Sequence, residues 1–499
     1  MEPPAQDSSE ARTEEAPTTD NDFFATVARG AEDVLAEELA ELGAYEVEVV
    51  HGGVHFAGSL EDGYRVCVGT RIASRILLPL DRFEAQDADG LYEGVARTQW
   101  TDHLGPETTF AVDVAGKGTA GPGKFVALKT KDAIVDVIRE AEGSRPSIDK
   151  IDPGLRVHVH LSGTQVTVSI DLVGRGLHRR GVGRTGGAAP LKESLAAALL
   201  RMAGWHRREG EELVLLDPMC GSGTFLIEAA WMARDVAPGL RRGFGAPGWR
   251  AHDAKAFARV IAAAEERKAA AADRPVVLVG VDSSEEQLGH ARDNLKAAGV
   301  TDAVLRHGTL ADLEPPEGPP GLFVVNPPYG ERLGEAGELG PLYSELGDVL
   351  KRRFPGWSAW VLSGNRALDK RIGLRPASKR VVMNGPIECR WLEIPIGEQA
   401  KSGGDGPGWR KASAEAEMFE NRLRKNHKRL SRWALQNETS AYRLYDADIP
   451  EFNVAVDVYG DDLIRVEEYR RPKKVEEEVA DRRLRDVMLV VPQVLGVRP

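Results

Sequence analysis

The sequence predicts an α/β protein organised around a doubly wound sheet of seven strands. Two short loops indicate this fold, and each follows an apolar run typical of a buried parallel strand. Residues 217–224 follow the run 213–216, and the Asn-Pro-Pro-Tyr sequence at 326–329 follows the run 322–325. Strand and helix signals alternate around both loops, as βαβ units require. Such a sheet gathers its ligand-binding loops at the carboxyl ends of its strands.

The length of 499 residues predicts two to four domains, because a single core stops growing well before this size. The three cysteines, Cys67, Cys220 and Cys389, form no CxxC pair, so we expect neither a metal site nor a disulfide framework. This usage fits the reducing cytoplasm. Apolar runs long enough to span a bilayer and a signal-peptide pattern are both absent from the sequence, so no membrane association is expected.

The net charge of −12 argues against a nucleic-acid partner, but the charge is unevenly distributed. Residues 1–20 are acidic and polar, and are predicted to be a disordered tail. Two basic runs contrast with it, and both are candidates for phosphate contact. They contain Arg175, His178, Arg179, Arg180 and Arg184, and then Arg422, Arg424, Lys425, Lys428, Arg429 and Arg432. The alternative is that both runs are solvated helix or loop faces.

The part of the chain before the first loop alternates strand and helix signals, which predicts small α+β modules. We expect helices at 31–42 and 128–142, strands at 47–50, 54–56, 109–114, 155–161 and 164–172, and a glycine-rich loop at 116–123. The central part predicts strands at 213–217, 276–281, 303–306, 322–325, 358–362, 379–383 and 387–394, with helices at 190–204, 224–234, 253–272 and 284–298. The last two strands are close enough in sequence to form an antiparallel hairpin at the sheet edge.

Beyond the sheet, the glycine-rich segment 401–408 reads as a linker. After it we expect a basic helix at 418–433, strands at 453–459 and 463–469, and a charged helix at 475–490.

The loop at 217–224 has the properties of a cofactor site. Gly221 and Gly223 let the backbone approach a ligand closely, and Asp282 at the end of the second strand can accept hydrogen bonds from two ribose hydroxyls. A phosphate loop would need a Lys-Ser/Thr pair, and a dinucleotide loop would need glycine where Leu226 stands. A cofactor with a ribose and no pyrophosphate therefore fits, which favours S-adenosylmethionine.

The predicted cofactor contacts extend over this loop and the ends of the next two strands. They are Asp217, Cys220, Gly221, Ser222, Gly223, Thr224 and Asp282, with Thr309 and Asp312 as two open candidates for the adenine amine. The competing interpretation is a tight turn between strand and helix, with Asp282 as a helix cap.

The loop at 326–329 suits an exocyclic amine on a nucleobase. The Asn326 side-chain oxygen and the Pro327 carbonyl can accept the amine hydrogens, and Tyr329 can stack on a base taken out of its helix. The prolines stiffen the loop and remove competing N–H donors. Carbon methylation of a pyrimidine would need a cysteine nucleophile, and this loop has none. The catalytic candidates are thus Asn326, Pro327 and Tyr329; the competing interpretation is a strand-ending turn.

These motifs resemble those of the THUMP-containing 23S rRNA guanine-N2 methyltransferases. The resemblance covers residues 21–400 and is carried by the segments 128–134, 177–181, 189–193, 217–224 and 326–332. It implies a class I (Rossmann-like) methyltransferase domain at 185–400, a ferredoxin-like module at 21–80 and a THUMP RNA-binding domain at 81–174. It also implies S-adenosyl-L-methionine as cofactor and 23S rRNA, or a large-subunit assembly intermediate, as partner.

Basic side chains in these motifs and in the two basic runs are the expected RNA contacts. They are Lys129, Lys131, His178, Arg179, Arg180, Lys192, Arg422, Arg424 and Lys425.

A linker at 401–411 would precede residues 412–499, which resemble the start of the guanine-N7 methyltransferase half of the bifunctional relatives. The segments 421–426 and 445–450 carry this second resemblance. No second glycine loop follows them, so we expect no N7 activity from this segment.

Three alternatives to guanine-N2 methylation of rRNA remain at this stage. A THUMP domain also serves enzymes that act on tRNA. An adenine-N6 methyltransferase uses the same Asn-Pro-Pro-Tyr loop, because both targets are planar exocyclic amines. A non-catalytic RNA-binding factor of ribosome assembly would show no transfer at all.

Overall fold

A computed structural model describes residues 20–182, 185–186, 191–207, 213–329, 335–397, 416–437, 439–460, 463–469 and 477–495. The predicted acidic tail up to residue 19, Arg184, residues 330–332 and the linker at 401–411 lie outside them. The chain divides into two compact units between residues 399 and 400. Across the described residues, every helix is too short or too polar to cross a membrane.

The first unit begins with an eight-stranded sheet in the order β2-β3-β1-β4-β8-β7-β5-β6. Its strands are β1 (Asn21–Thr26), β2 (Tyr45–Val50), β3 (Gly53–Gly58), β4 (Arg75–Glu84), β5 (Thr109–Gly118), β6 (Ser147–Ile148), β7 (Leu155–Gly163) and β8 (Gln165–Asp171). Its helices are α1 (Glu32–Glu41), α2 (Leu60–Gly69), α3 (Ala88–Arg97) and α4 (Gly123–Glu142). The antiparallel pairing of β4 with β8 joins the two expected N-terminal modules in one continuous sheet.

Several elements of this sheet differ from the prediction. The elements α2, α3, β1, β4 and β6 were not expected, and α4 begins at Gly123 rather than at residue 128. Strand β5 continues to Gly118, into the expected glycine-rich loop, because it pairs with β7 from Phe110 to Gly118. The remaining predicted strands of this region are confirmed.

The second sheet of the first unit has seven strands in the order β11-β10-β9-β12-β13-β15-β14. These strands are β9 (Leu213–Asp217), β10 (Val276–Asp282), β11 (Val304–His307), β12 (Leu322–Val325), β13 (Ser358–Ser363), β14 (Ser378–Asn384) and β15 (Ile387–Pro395). The helices in this part of the chain are α5 (Glu193–Met202), α6 (Thr224–Ala233), α7 (Ala254–Ala270), α8 (Glu285–Ala298), α9 (Glu335–Arg353) and α10 (Arg366–Asp369). Of these, α7 packs in the core of the first sheet. Strands β9 to β13 run parallel, and β14 and β15 form the predicted antiparallel hairpin at the edge.

The predicted doubly wound architecture is confirmed by the packing on both faces of this sheet. Alternate residues of β9 and β12 enter two different core clusters. Leu215 and Val324 belong to the cluster that contains α5 and α6, whereas Leu216 and Phe323 belong to the cluster that contains α9. Strands covered on both faces have no polar side, which is why they read as continuous apolar runs in the sequence.

A buried ion pair joins the segment after the first sheet to the second sheet. The Arg180 guanidinium donates to both carboxylate oxygens of Glu228 in α6, at 2.9 and 3.1 Å, and Arg180 is only 2% exposed. It also donates to the carbonyls of Leu177 and Arg71. The expectation that Arg180 contacts RNA was therefore wrong, because a carboxylate 48 positions further along the chain holds this side chain inside the protein.

The second unit is a small α+β fold. It consists of α11 (Ala416–Gln436), the antiparallel strands β16 (Ala441–Asp446), β17 (Val454–Tyr459) and β18 (Leu463–Glu468), and α12 (Glu477–Leu495). Its core includes Phe419, Leu423, Tyr445 and Val487. Both predicted helices and both predicted strands are confirmed, and β16 is an addition.

We expect the Arg180→Met substitution to lower the melting temperature strongly, because it leaves the Glu228 carboxylate buried without its cation. The cost of breaking such a pair is about 3–5 kcal/mol. The double variant Arg180→Met/Glu228→Leu should recover most of the loss, since no buried charge then remains. Thermal unfolding followed by circular dichroism measures both. Equal melting temperatures for single and double variants would contradict this account.

Candidate functional site

Three loops of the second sheet meet at the carboxyl ends of its central strands. Strand β9 lies between β10 and β12, and all three run parallel. The chain moves to one side of β9 for β10 and to the other side for β12, which makes this the topological switch point of the sheet. Asp217, Asp282 and Asn326 stand at or directly after the ends of these three strands.

The loop between β9 and α6 is shaped by its two glycines. Gly221 and Gly223 have φ angles of 51° and 82°, in the left-handed region that favours glycine. The Gly221 N–H donates to Asp282 Oδ2 at 2.9 Å, and the Cys220 N–H donates to the Val281 carbonyl at 2.9 Å. Nothing in the described structure lies within 4 Å of the position that a Cβ on Gly221 would occupy. The loop is thus tied to β10 and open in front of Gly221, as a bound ligand requires.

Two predicted cofactor residues of this loop, Asp217 and Cys220, are buried and have raised pKa values. Burial, with a smaller contribution from the nearby Asp282, raises the pKa of Asp217 to about 8. Asp217 accepts one hydrogen bond from the Met219 N–H at 3.2 Å. Burial likewise raises the pKa of the Cys220 thiol, so this cysteine is a packed, protonated side chain. Ser222 and Thr224 are also buried within the loop.

The remaining predicted cofactor contacts are Asp282, at the end of β10, and Thr309 and Asp312, in the loop after β11. The Asp282 carboxylate accepts from Gly221 and, at 2.9 Å, from the Ser284 N–H. Thr309 and Asp312 hydrogen-bond to each other at 2.9 Å, and this bond lowers the pKa of Asp312. Both follow the end of β11, the strand beside β10. The two candidates for the adenine amine are therefore a mutually capped pair rather than independent side chains.

Asn294 of α8 is a supporting residue that the sequence interpretation missed. Its side-chain N–H group donates to the Ser222 carbonyl at 3.0 Å and to the Thr185 carbonyl at 2.9 Å, and its oxygen accepts from the Thr185 N–H. It is only 2% exposed. The available signal was its position, because Asn294 falls in helical spacing with the apolar residues Leu288, Ala291, Leu295 and Ala298. Asn294 holds the cofactor loop against the segment that leads into this domain.

Two of the catalytic candidates after β12, Asn326 and Tyr329, contact each other. The Tyr329 hydroxyl donates to Asn326 Oδ1, so the orientation of the Asn326 amide is set by Tyr329. The Tyr329 ring packs beside Ile387 and close to Gly364, where an added Cβ would come within 3.0 Å of the ring. Burial raises the pKa of Tyr329, which keeps its hydroxyl a hydrogen-bond donor. Pro327 is buried, whereas Pro328 is exposed.

Tyr343 of α9 contacts the same loop through a hydrogen bond. Its hydroxyl donates to the Pro328 carbonyl at 3.2 Å, and the whole residue is buried. The sequence interpretation did not find this residue, because a Tyr in an amphipathic helix reads as ordinary core. It is a positioning residue for the loop at 326–329.

The predicted RNA contacts lie at four places in the described chain. Lys129 is 3.9 Å from Asp89 and faces the Tyr92 ring, and Lys131 pairs with Asp132 at 2.6 Å. His178, Arg179 and Lys192 line one cleft, and Arg180 is buried as described above. Arg422, Arg424 and Lys425 are exposed on α11 of the second unit, where Arg424 pairs with Glu420.

Clusters of three or more side chains suited to a metal ion are absent from the described residues.

Family models match three consecutive parts of the first unit. A ferredoxin-like domain named after RlmL matches residues 22–77, the THUMP domain matches residues 85–171, and an RMKL-like methyltransferase domain matches residues 180–393.

Curated relatives match nearly the whole chain. A ribosomal RNA large subunit methyltransferase K/L of Syntrophotalea carbinolica is 46% identical over 94% of this chain and 66% of its own length. A protein of the same name from Pseudomonas paraeruginosa is 43% identical over 95% of this chain and 68% of its own length. The chain thus spans about two thirds of the length of these relatives.

Solved structures share the architecture of the first unit. SMU.472, described as a methyltransferase complexed with SAH, superposes with a TM-score of 0.68 at 28% identity, over 77% of this chain and 99% of its own. A protein of Listeria monocytogenes named as an N6-adenine-specific DNA methylase gives a TM-score of 0.66 at 29% identity, over 76% and 97%.

The strand order, the glycine loop and the Asn-Pro-Pro-Tyr loop define a class I methyltransferase that uses S-adenosylmethionine. Within that class, the chain belongs to the ribosomal RNA large subunit methyltransferase K/L family. The residues present fit the cofactor, because the loop is open before Gly221 and Asp282 faces it from the neighbouring strand.

We expect Asp217→Asn to stabilise the cofactor-free protein increasingly as pH rises. The folded pKa of about 8 lies above the ordinary value of about 4, so the unfolded chain loses this proton first and the folded state loses stability between the two values. The penalty accumulates by at most about 1.4 kcal/mol per pH unit. Melting temperatures at pH 5 and pH 8 measure it. A gain that is the same at both pH values would contradict the assignment.

We expect Tyr343→Phe to lower kcat for methyl transfer roughly fivefold, because the Pro328 carbonyl loses one hydrogen bond and the loop loses one constraint. Cofactor affinity should stay unchanged, since the cofactor loop is a separate segment. Tyr92→Phe is the matched control, because its hydroxyl donates to Asp136 of α4, away from the loop at 326–329. A rise in KM with unchanged kcat would show that Tyr343 does not position the reacting loop.

Proposed function

We propose that this chain transfers a methyl group from S-adenosylmethionine to the exocyclic N2 amine of a guanine in 23S rRNA. The observation that carries the proposal is the position of Asn326. Its amide stands after β12, directly beside the strand whose loop fits the cofactor. Family membership supports rRNA as the substrate class, since the relatives are named for it.

The chemistry of the target explains the acceptors in this loop. The lone pair of a guanine amine is delocalised into the ring, so the nitrogen is a poor nucleophile. Acceptors that hold its hydrogens out of the ring plane favour a pyramidal nitrogen with a localised lone pair. Positioned acceptors of this kind act through orientation and electrostatics, which need no covalent intermediate on the protein.

Two oxygens of the loop can hold the amine hydrogens. Asn326 Oδ1 already accepts from Tyr329 and has a second lone pair, so the bond from Tyr329 fixes the direction in which that lone pair points. The Pro327 carbonyl accepts no hydrogen bond from any described residue. Tyr343 keeps the neighbouring Pro328 carbonyl in place, which limits the motion of the whole turn.

Gly221, Gly223, Asp217 and Asp282 would hold the cofactor, with Thr309 and Asp312 on the neighbouring loop. When bound there, S-adenosylmethionine supplies the methyl group as an electrophile on its sulfonium. Asp282 can accept from ribose hydroxyls through the lone pairs that Gly221 and Ser284 leave available. Because Asp217 carries a raised pKa, a cationic ligand nearby favours loss of its proton.

Incubation of the purified protein with methyl-labelled S-adenosylmethionine and protein-free 23S rRNA, with bulk tRNA in parallel, tests the substrate. We expect label in rRNA alone and N2-methylguanosine as the labelled nucleoside by mass spectrometry. Label in tRNA would instead identify the chain as a tRNA methyltransferase. N6-methyladenosine would match the name of the Listeria neighbour, and N7-methylguanosine would place the activity elsewhere in the chain.

The Asn326→Ala substitution should reduce transfer at least about 100-fold, because the amine loses an acceptor that no other side chain of the loop replaces. Affinity for the cofactor, measured by calorimetry, should remain nearly unchanged. Asn437→Ala is the matched control, because Asn437 is exposed just after α11 of the second unit, where its side chain donates to the Trp433 carbonyl. Normal turnover of the Asn326 variant would rule out the acceptor role.

A further inference from the structure

A basic cleft lies where the first sheet meets the segment that leads into the methyltransferase domain. It has a volume of about 540 Å³. Its described lining consists of Ser74, Arg75, Lys150, Ile151, Arg156, Gly174, Arg175, Gly176, His178, Arg179 and Lys192. Six of these side chains are cationic and none is a carboxylate. The charge of this lining is therefore opposite in sign to the net charge of the whole chain, which is −12.

Two of the six cations form the fixed floor of the basic cleft. Arg75 pairs with Asp171, whose side chain is fully buried, and lies 3.5 Å from Asp113. Arg156 donates to Asp113 at 3.1 Å. These pairs hold the two guanidinium groups in place and compensate much of their charge.

The other cations remain available to a ligand. Lys150, Arg179 and Lys192 are exposed and form no ion pair with any described residue. Among the described residues, Arg175 pairs with Asp152, an exposed partner that contributes little binding energy and is easily exchanged for another anion. Glu193 lies near His178, whose pKa is lowered chiefly by burial, so His178 adds no charge near pH 7. The cleft therefore carries a local surplus of positive charge.

The lining suits a nucleic-acid backbone better than bases. Apart from the His178 imidazole, the described lining has no aromatic ring on which a base could stack. Lysine and arginine side chains contact phosphates without reading sequence, and they fix the register of the nucleic acid. The cleft is larger than the volume of one phosphate group. Consecutive phosphates of one strand can therefore lie among its cations.

We propose that the basic cleft binds consecutive phosphates of the RNA substrate through Arg179, Lys192 and Lys150, and so sets the register of the RNA relative to the methyltransferase domain. This rests on the proposed function, which names RNA as the substrate. The segment that carries Arg179 continues directly into Arg180, which is anchored on α6 behind the cofactor loop. A phosphate held by Arg179 is thus held at a fixed place relative to that loop.

The test measures RNA binding separately from methyl transfer. Filter binding of a 23S rRNA fragment, at several salt concentrations, compares the intact chain with Arg179→Ala/Lys192→Ala. The variant should bind at least about tenfold more weakly near 0.15 M salt, and the slope of log Kd against log salt should fall by about 2, one for each lost phosphate contact. An unrelated RNA of equal length should lose affinity equally, because the contacts read no sequence.

The control variant Lys296→Ala/Arg352→Ala removes the same charge from another place. Both residues are exposed, form no ion pair with any described residue, and lie in the last turns of α8 and α9, outside the lining of the basic cleft. Its affinity and salt slope should match those of the intact chain. The variant Arg179→Lys/Lys192→Arg keeps the charge and should stay within about twofold of the intact chain.

Equal losses in the two alanine variants, or an unchanged salt slope in Arg179→Ala/Lys192→Ala, would overturn the assignment of the cleft. Cofactor affinity, measured by calorimetry, verifies that each variant is folded. If the intact chain binds RNA through the cleft but yields no N2-methylguanosine, the proposed reaction fails while the phosphate site stands. If methylation is normal in both alanine variants at limiting RNA, the reaction stands and the phosphate site fails.

Discussion

The Arg180–Glu228 pair connects three segments on which the site depends. One guanidinium contacts the turn after α2 through the Arg71 carbonyl, the segment after the first sheet through the Leu177 carbonyl, and α6 through Glu228. Helix α6 begins at the end of the cofactor loop. The position of that loop relative to the N-terminal sheet is therefore fixed by directional hydrogen bonds in a nearly dry environment. Apolar residues of equal volume would provide comparable stability, so the contribution of the pair to this site is the set of contacts that it makes with the three segments.

The second constraint is the strand order around β9. The chain adds β10 and β11 on one side of β9 and then crosses to the other side of β9 for β12 and β13. This crossing separates the loops after β9 and β12 enough to admit a ligand between them. Glycines with left-handed backbone angles keep the first loop open, and two prolines with a buried tyrosine beneath keep the second loop stiff. The open glycine loop after β9 and the rigid proline turn after β12 thus lie side by side at the carboxyl ends of the central strands.

Much of the second sheet could be predicted from the sequence, because strands buried on both faces are continuous apolar runs. Strand β12 is the clearest example, with four buried residues and a polar residue directly after them. Strand β4 was missed because Pro79 interrupts it and the adjacent charges Asp81 and Arg82 break the alternation that is typical of a strand. Helix α2 had a usable signal, since Ser59 and Asp62 form a capping box. The union of the two N-terminal modules in one sheet was not predictable, because it depends on pairing between residues such as Leu77 and Asp171.

The basic run at 175–184 shows why counting charges identifies a region but not its contacts. Arg179 and Arg180 are identical neighbours, yet one is exposed and the other is buried against Glu228. The difference depends on whether a carboxylate from elsewhere in the fold reaches the side chain. The same reasoning reconciles a net charge of −12 with an RNA substrate. Exposed charges are screened over about 8 Å at physiological salt, so distant carboxylates barely affect the basic cleft. What a phosphate meets there is the local surplus of cations that the fold has left without carboxylate partners.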